Sequence, residues 1–104
     1  MSELTGFRLT REPARAVLAV RGPLDNLSGP ALERLVDRCL TGPDSVEEIA
    51  VDLASSPFVT AAGFRVLLDV SHRSTEAGCR LWLERPRPLV ASTLRTLGLE
   101  SVLC

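Results

Sequence analysis

The chain contains no lysine and no tyrosine, and all 12 of its basic residues are arginine. Against 13 acidic residues they leave a formal net charge of -1. No basic stripe with interleaved aromatics is present, so nucleic acid is not an expected partner. Aromatic residues are few, only Phe7, Phe58, Phe64 and Trp82. A core must therefore come from Leu, Val and Ala. No run of 18 apolar residues occurs, which excludes an apolar membrane-spanning helix, and no membrane insertion is expected. The start, MSELTGFRL, lacks the charged and apolar regions of a secretory signal, so the cytoplasm is the expected compartment.

Chemistry-bearing motifs are missing as well. There is no HExxH, no GxxxxGK[ST] and no GxSxG. His72 is the single histidine, and it falls on a charged helix face, where a solvated role is expected. No His, Cys and Asp cluster has metal-ligand spacing. No catalytic residue, cofactor or metal is expected. The three cysteines, Cys39, Cys79 and Cys104, are odd in number and form no CxxC, so neither a disulfide framework nor a zinc site follows. They read as small core residues plus a terminal thiol. A redox pair of Cys79 with Cys104 is the alternative.

What is present is an ordinary globular balance: 104 residues, 45% hydrophobic and 24% charged. That length fits one domain over residues 1–104 and buries enough surface to need no staple. The stretches GFRLTRE and ARAVLAVRG read as two strands turning at Pro13. GPLDNLSGP is dense in turn formers, with Ser28 a candidate N-cap and Pro30 tolerated in a first turn. Leu32, Leu35, Val36, Cys39 and Leu40 recur at helical spacing, and Gly42-Pro43 ends that helix. EEIAVDLA alternates as a strand, with Ile49, Val51 and Leu53 opposite Ala50 and Asp52.

In the next helix Arg65, Asp69, His72, Arg73 and Glu76 trace one face, and Phe64, Leu67, Leu68 and Ser71 the other. Gly78 stops it. CRLWLE is a strand, RPRP a connector and LVASTLRTL a last helix, closed by Gly98 with Leu99 after it. The order β-β-α-β-α-β-α predicts an α/β fold with a mostly parallel four-stranded sheet. Right-handed crossovers then place the helices mainly on one face. Helices are expected near 28–41, 61–77 and 88–97.

One stretch stands apart. FVTAAGFRVLL passes from strand to helix through Thr60, Ala61, Ala62 and Gly63, a turn almost without side chains. With Thr60 as cap, its hydroxyl accepts a first-turn amide bond and the free N–H groups face outward. Such a turn can take an anion or let another backbone come close, or it can simply pack against a neighbouring loop. The Asp25 turn and the Thr60 turn each follow a strand, which places both at one end of the sheet, where open α/β sheets carry their sites.

GPLDNLSGPALERLV, IAVDLASSPFVTAAGFRVLL and EAGCRLWLERPRPLVASTLRTLGLESVL together resemble the STAS domain of bacterial anti-sigma factor antagonists. In that family the turn reads Asp-Ser-Ser-Gly or Asp-Ser-Ala-Gly. Its first Ser is phosphorylated by a partner kinase that is also the anti-sigma factor, and phosphorylation releases the complex. On this sequence the family Asp falls on Thr60, the acceptor Ser on Ala61, the second small residue on Ala62 and the Gly on Gly63. The Asp of the first turn is kept as Asp25. The resemblance implies a non-catalytic protein that docks a kinase-type anti-sigma factor through Asp25, Thr60, Ala61, Ala62, Gly63 and Phe64. Ala61 has no hydroxyl to modify. Thr60, Ser55 and Ser56 are the substitute acceptors, with Thr60 the favoured one. The chain is expected to act as a monomer or weak homodimer. The resemblance also allows a STAS accessory subunit of a lipid-transporting ABC complex. A third class, an enzyme or nucleotide-binding module, finds no motif.

Overall fold

A computed structural model describes residues 2–4 and 6–98. Strands β1 (Ser2–Leu4), β2 (Phe7–Glu12) and β3 (Arg15–Val20) are followed by helix α1 (Gly29–Leu40) and strand β4 (Glu48–Asp52). Helix α2 (Ala61–Glu76), strand β5 (Arg80–Glu84) and helix α3 (Pro88–Thr96) complete the order. The sheet runs β1-β2-β3-β4-β5. The four expected strands are β2 to β5, and two of their three pairings are parallel. The short β1 adds an antiparallel edge that the alternation pattern did not announce.

Because β3, β4 and β5 are adjacent and parallel, right-handed crossovers put α1 and α2 on the same side. Their apolar residues join one cluster with Phe7, Leu9, Leu18, Val20, Ile49, Val51, Leu81 and Leu83 of the sheet and with Val90 and Leu94 of α3. Gly29 opens α1 against α2: a Cβ there would stand 2.8 Å from Val66 Cγ2.

Among the described residues the other sheet face carries no helix, and its cross-strand rows show how it meets water. Glu12, Arg15, Glu48 and Arg80 stand side by side with alternating sign, the favourable pairing for neighbours on one face. The next row is Thr10, Val17, Ala50 and Trp82. The guanidiniums of Arg15 and Arg80 lie 5.3 and 5.2 Å from the Trp82 ring centre, and Trp82 Nε1 donates to Glu84 Oε1 at 2.9 Å. Under this cover Ala50 and Asp52 are buried along with Ile49 and Val51. The two-faced alternation of β4 thus gives a strand buried on both sides.

The largest departure from the sequence pattern is the rotation of α2. Its buried stripe is Gly63, Val66, Leu67, Val70 and Ser74, not Phe64, Leu67, Leu68 and Ser71. Ser74 donates to the Val70 carbonyl at 2.8 Å, so its hydroxyl is not left unpaired by burial. Phe64 lies half-buried against the core, and Leu68 is exposed. The charged face, Arg65, Asp69, His72, Arg73 and Glu76, is exposed as the spacing predicts. Arg73 reaches across to Asp37 and Glu33 of α1 at 2.8 and 3.3 Å.

Candidate protein-docking site

The turn after β3 and the turn before α2 are sewn together by backbone bonds. Leu24 forms a parallel bridge with Val59. The Leu24 N–H donates to the Phe58 carbonyl at 3.1 Å, and the Thr60 N–H donates to the Leu24 carbonyl at 3.0 Å. Both turns therefore stand together beyond the strand ends, as expected of the Asp25 and Thr60 segments.

Asp25 works locally. Its Oδ1 accepts from the N–H of Leu27 and of Ser28, each at 2.9 Å. These two bonds stabilise the charged form, and they hold the Asp25 carboxyl below its ordinary value of 3.8. Ser28 is not the side-chain cap that its type predicts. Its hydroxyl turns back, donating to the Pro23 carbonyl at 3.0 Å and lying 3.2 Å from Asp25 Oδ1. The Asp25 carboxylate instead closes the turn that leads into α1.

Thr60 caps α2. Its Oγ1 accepts from the Gly63 N–H at 3.2 Å and donates to the Leu24 carbonyl at 3.4 Å. Gly63 is buried, and a Cβ on it would lie 2.3 Å from the Leu24 carbonyl oxygen and 2.8 Å from Val59 Cγ1. This glycine answers the bareness of the turn: it lets the two turns touch. Gly63 is thus a support of the site rather than a contact surface. Ala61 is exposed and Ala62 half-exposed. With the N–H of Gly63 and of Phe64 taken by Thr60, the first-turn N–H groups of Ala61 and Ala62 remain at the surface. Among the substitute hydroxyls, Ser56 is buried and donates to the Phe58 carbonyl at 3.3 Å, while Ser55 is exposed.

Beside Ala61 opens a feature the sequence pattern did not reveal. A groove of about 600 Å³ runs between α2 and α3, lined by Val59, Ala61, Phe64, Arg65, Leu68, Thr93 and Leu97. Phe58 and Leu89 are exposed next to it, around a smaller pocket that shares Val59, Phe64 and Thr93. The available signal was the apolar residues left over from the stripes of α2 and α3: Leu68, Leu89 and Leu97, which are 37%, 75% and 54% exposed.

Elsewhere Asp52 is paired with Arg85 and accepts from the Ala54 N–H at 3.0 Å. Cys39 and Cys79 are buried free thiols, and burial pushes both above the ordinary thiol range. Cys104 and Leu99 lie outside the described residues, as does the second half of the proposed stop after Gly98. Among the described residues no helix is long and apolar enough to cross a membrane, and no three His, Cys, Asp or Glu side chains group to hold a metal.

A mixed sheet with its helices on one face and two joined turns at one end defines a small α/β class. The structure of the anti-sigma factor antagonist SpoIIAA in its unphosphorylated form superposes with a TM-score of 0.82 at 18% identity, over 94% of this chain and 85% of that one. An anti-sigma factor antagonist from Mycobacterium paratuberculosis gives 0.77 at 18%, over 93% and 80%. A sulfate transporter family protein from Wolinella succinogenes gives 0.76 at 15%, over 91% and 75%. At these identities the likeness carries the fold. Residues 7–104 match the family described as "Mlab, STAS domain". The chain belongs to the STAS domain family. No curated protein matches its sequence.

Proposed function

We infer that this STAS domain is a non-catalytic docking protein that binds a kinase-type anti-sigma factor through the joined turns, without phosphorylation at the usual position. The observation that carries the reading is Ala61. It occupies the place that the resemblance assigns to the acceptor serine, it is exposed beside an apolar groove, and it has no hydroxyl. A phosphate adds roughly -1.5 to -2 charges at neutral pH, which an apolar interface cannot accept without loss of affinity. This chain cannot receive that signal at residue 61. Thr60 is a poor substitute, because its hydroxyl already holds the cap and the Leu24 carbonyl. Ser56 is enclosed. Ser55 is the exposed hydroxyl of the three.

The test is capture of the partner from the native cell, its identification by mass spectrometry, and titration with and without ATP. The expected partner is an ATP-binding serine-kinase-type anti-sigma factor whose affinity does not change with ATP. Ala61→Asp places about one negative charge at the contact and should release the partner in part. The fold should tolerate it, since an acid in a first turn is favoured by about 0.3–1 kcal/mol. ATP-dependent phosphate on Ser55 or Thr60 that frees the partner would show a switch displaced rather than lost. A second reading, a STAS accessory subunit of a lipid-transporting ABC complex, draws on the same bare Ala61, because such a partner needs no phosphorylation. Recovery of an ABC ATPase in the capture would select it.

A further inference from the structure

The groove between α2 and α3 extends the joined turns into a longer surface. One wall is α2, where Ala61, Phe64, Arg65 and Leu68 stand at i, i+3, i+4 and i+7. The other is α3, where Thr93 lines the groove with the C-cap Leu97 four residues on, and Leu89 stands four residues before Thr93 at the adjoining pocket. At 1.5 Å per residue these walls are roughly 10–12 Å long, which is two turns of a third helix. Walls spaced in helical steps around an apolar floor are the geometry of helix-in-groove recognition.

The charge of the groove narrows the occupant. Among the described residues Arg65 is its one charged lining residue, and it has no ion-pair partner there. Asp69, one turn on along α2, forms no ion pair with it. An unpaired guanidinium at an apolar groove favours a ligand that brings a carboxylate. We propose that the groove seats two turns of an amphipathic helix of the protein partner, with apolar residues on its floor and an Asp or Glu against Arg65. This rests on the reading of the joined turns as the docking face. A second copy fits less well: on α1 the acids Glu33 and Asp37 are already engaged by Arg73, and the exposed Asp69 and Glu76 belong to α2, which is itself a wall of the groove.

The test uses the full chain, immobilised and panned against 16-residue peptides displayed on phage, with the enriched peptides then synthesised and titrated by fluorescence anisotropy. Enriched peptides should carry apolar residues at i, i+3 or i+4, and i+7, with an acid beside them. Leu68→Asp and Arg65→Glu should each weaken binding by about tenfold or more, the weight of a well-packed interface side chain, without moving the melting curve, since both residues are exposed. Changing the peptide acid to Lys should restore binding to Arg65→Glu. No enrichment, or binding to both variants within about twofold of wild type, overturns the proposal. A dimer that Leu68→Asp dissolves in sedimentation, or peptides that bind only after residues 99–104 are deleted, would assign the groove to this chain itself and also overturn it. The two readings fail separately. A captured partner released by Ala61→Asp but held fully by Leu68→Asp sinks the groove alone, while a partner indifferent to both sinks the docking face.

Discussion

At the scale of single residues, the site depends on what Gly63 lacks. Its missing Cβ leaves room for the Leu24 carbonyl, and that carbonyl holds Thr60 twice. Gly63→Ala should therefore act on folding first. Crowding a packed position by a methyl costs about 1–3 kcal/mol, equivalent to at least about 4 °C of melting temperature in a domain this size. Calorimetry checks it; an unchanged transition would show that the two turns can part. Larger substitutions such as Gly63→Arg confound folding with binding, which is why Ala61 is the position to vary for affinity. Asp25 contributes a pH-dependent part of the stability. Its folded value lies below 3.8, so its contribution is complete above that value and is lost as pH falls through the lower, folded one. Asp25→Asn keeps the acceptor but removes the charge. The gap in melting temperature between wild type and variant should be full at pH 6 and close as acid is added below about pH 4. A gap independent of pH would remove charge from the explanation.

At the scale of elements, the helix-free sheet face is held by long side chains rather than by a layer. Arg15 pairs with Glu84 at 3.2 Å and covers Trp82. Arg15→Ala should cost about 1 kcal/mol, because an exposed cation–π contact and a surface ion pair are each small. The buried Arg15 Nε has no hydrogen-bond partner, so its removal offsets part of that loss. The clearer readout is optical. With one tryptophan and no tyrosine in the chain, emission reports Trp82 alone, and uncovering the indole should shift it to the red. An unshifted spectrum would mean that Arg80 suffices as cover. The face of α2 was legible only in part. Its charged residues fixed the outer side, but Leu67 and Leu68 are both apolar, and their spacing does not decide which of them turns inward. Packing against α1 at Gly29 decided it, and that rotation exposed Leu68 and opened the groove.

At the scale of the whole molecule, the cysteines are the simplest probe of closure. Cys39 and Cys79 are buried with thiols raised by burial, and thiols held in the protonated form react slowly. Peptide mapping after a pulse of iodoacetamide should find neither residue labelled in the native protein and both labelled in denaturant. Native labelling of either would mean that the core around it opens readily. The groove lies on the α2 and α3 side, away from the charged rows of the free sheet face, so a partner docked there leaves Trp82 untouched. Partner titration and Trp82 emission are thus independent readouts on one molecule.

The sequence by itself determined the element order, the mostly parallel pairing of its four longer strands, the capping of α2 by Thr60 and the union of two turns at one end of the sheet. These follow from short-range causes: period, turn chemistry and the handedness of crossovers. The burial of both faces of β4, the inward position of Gly63 and the groove beside Ala61 were settled by tertiary structure alone. Each depends on which surfaces meet across long separations in the chain, Leu24 against Gly63 and α2 against α3, and no local pattern encodes a distance between two segments.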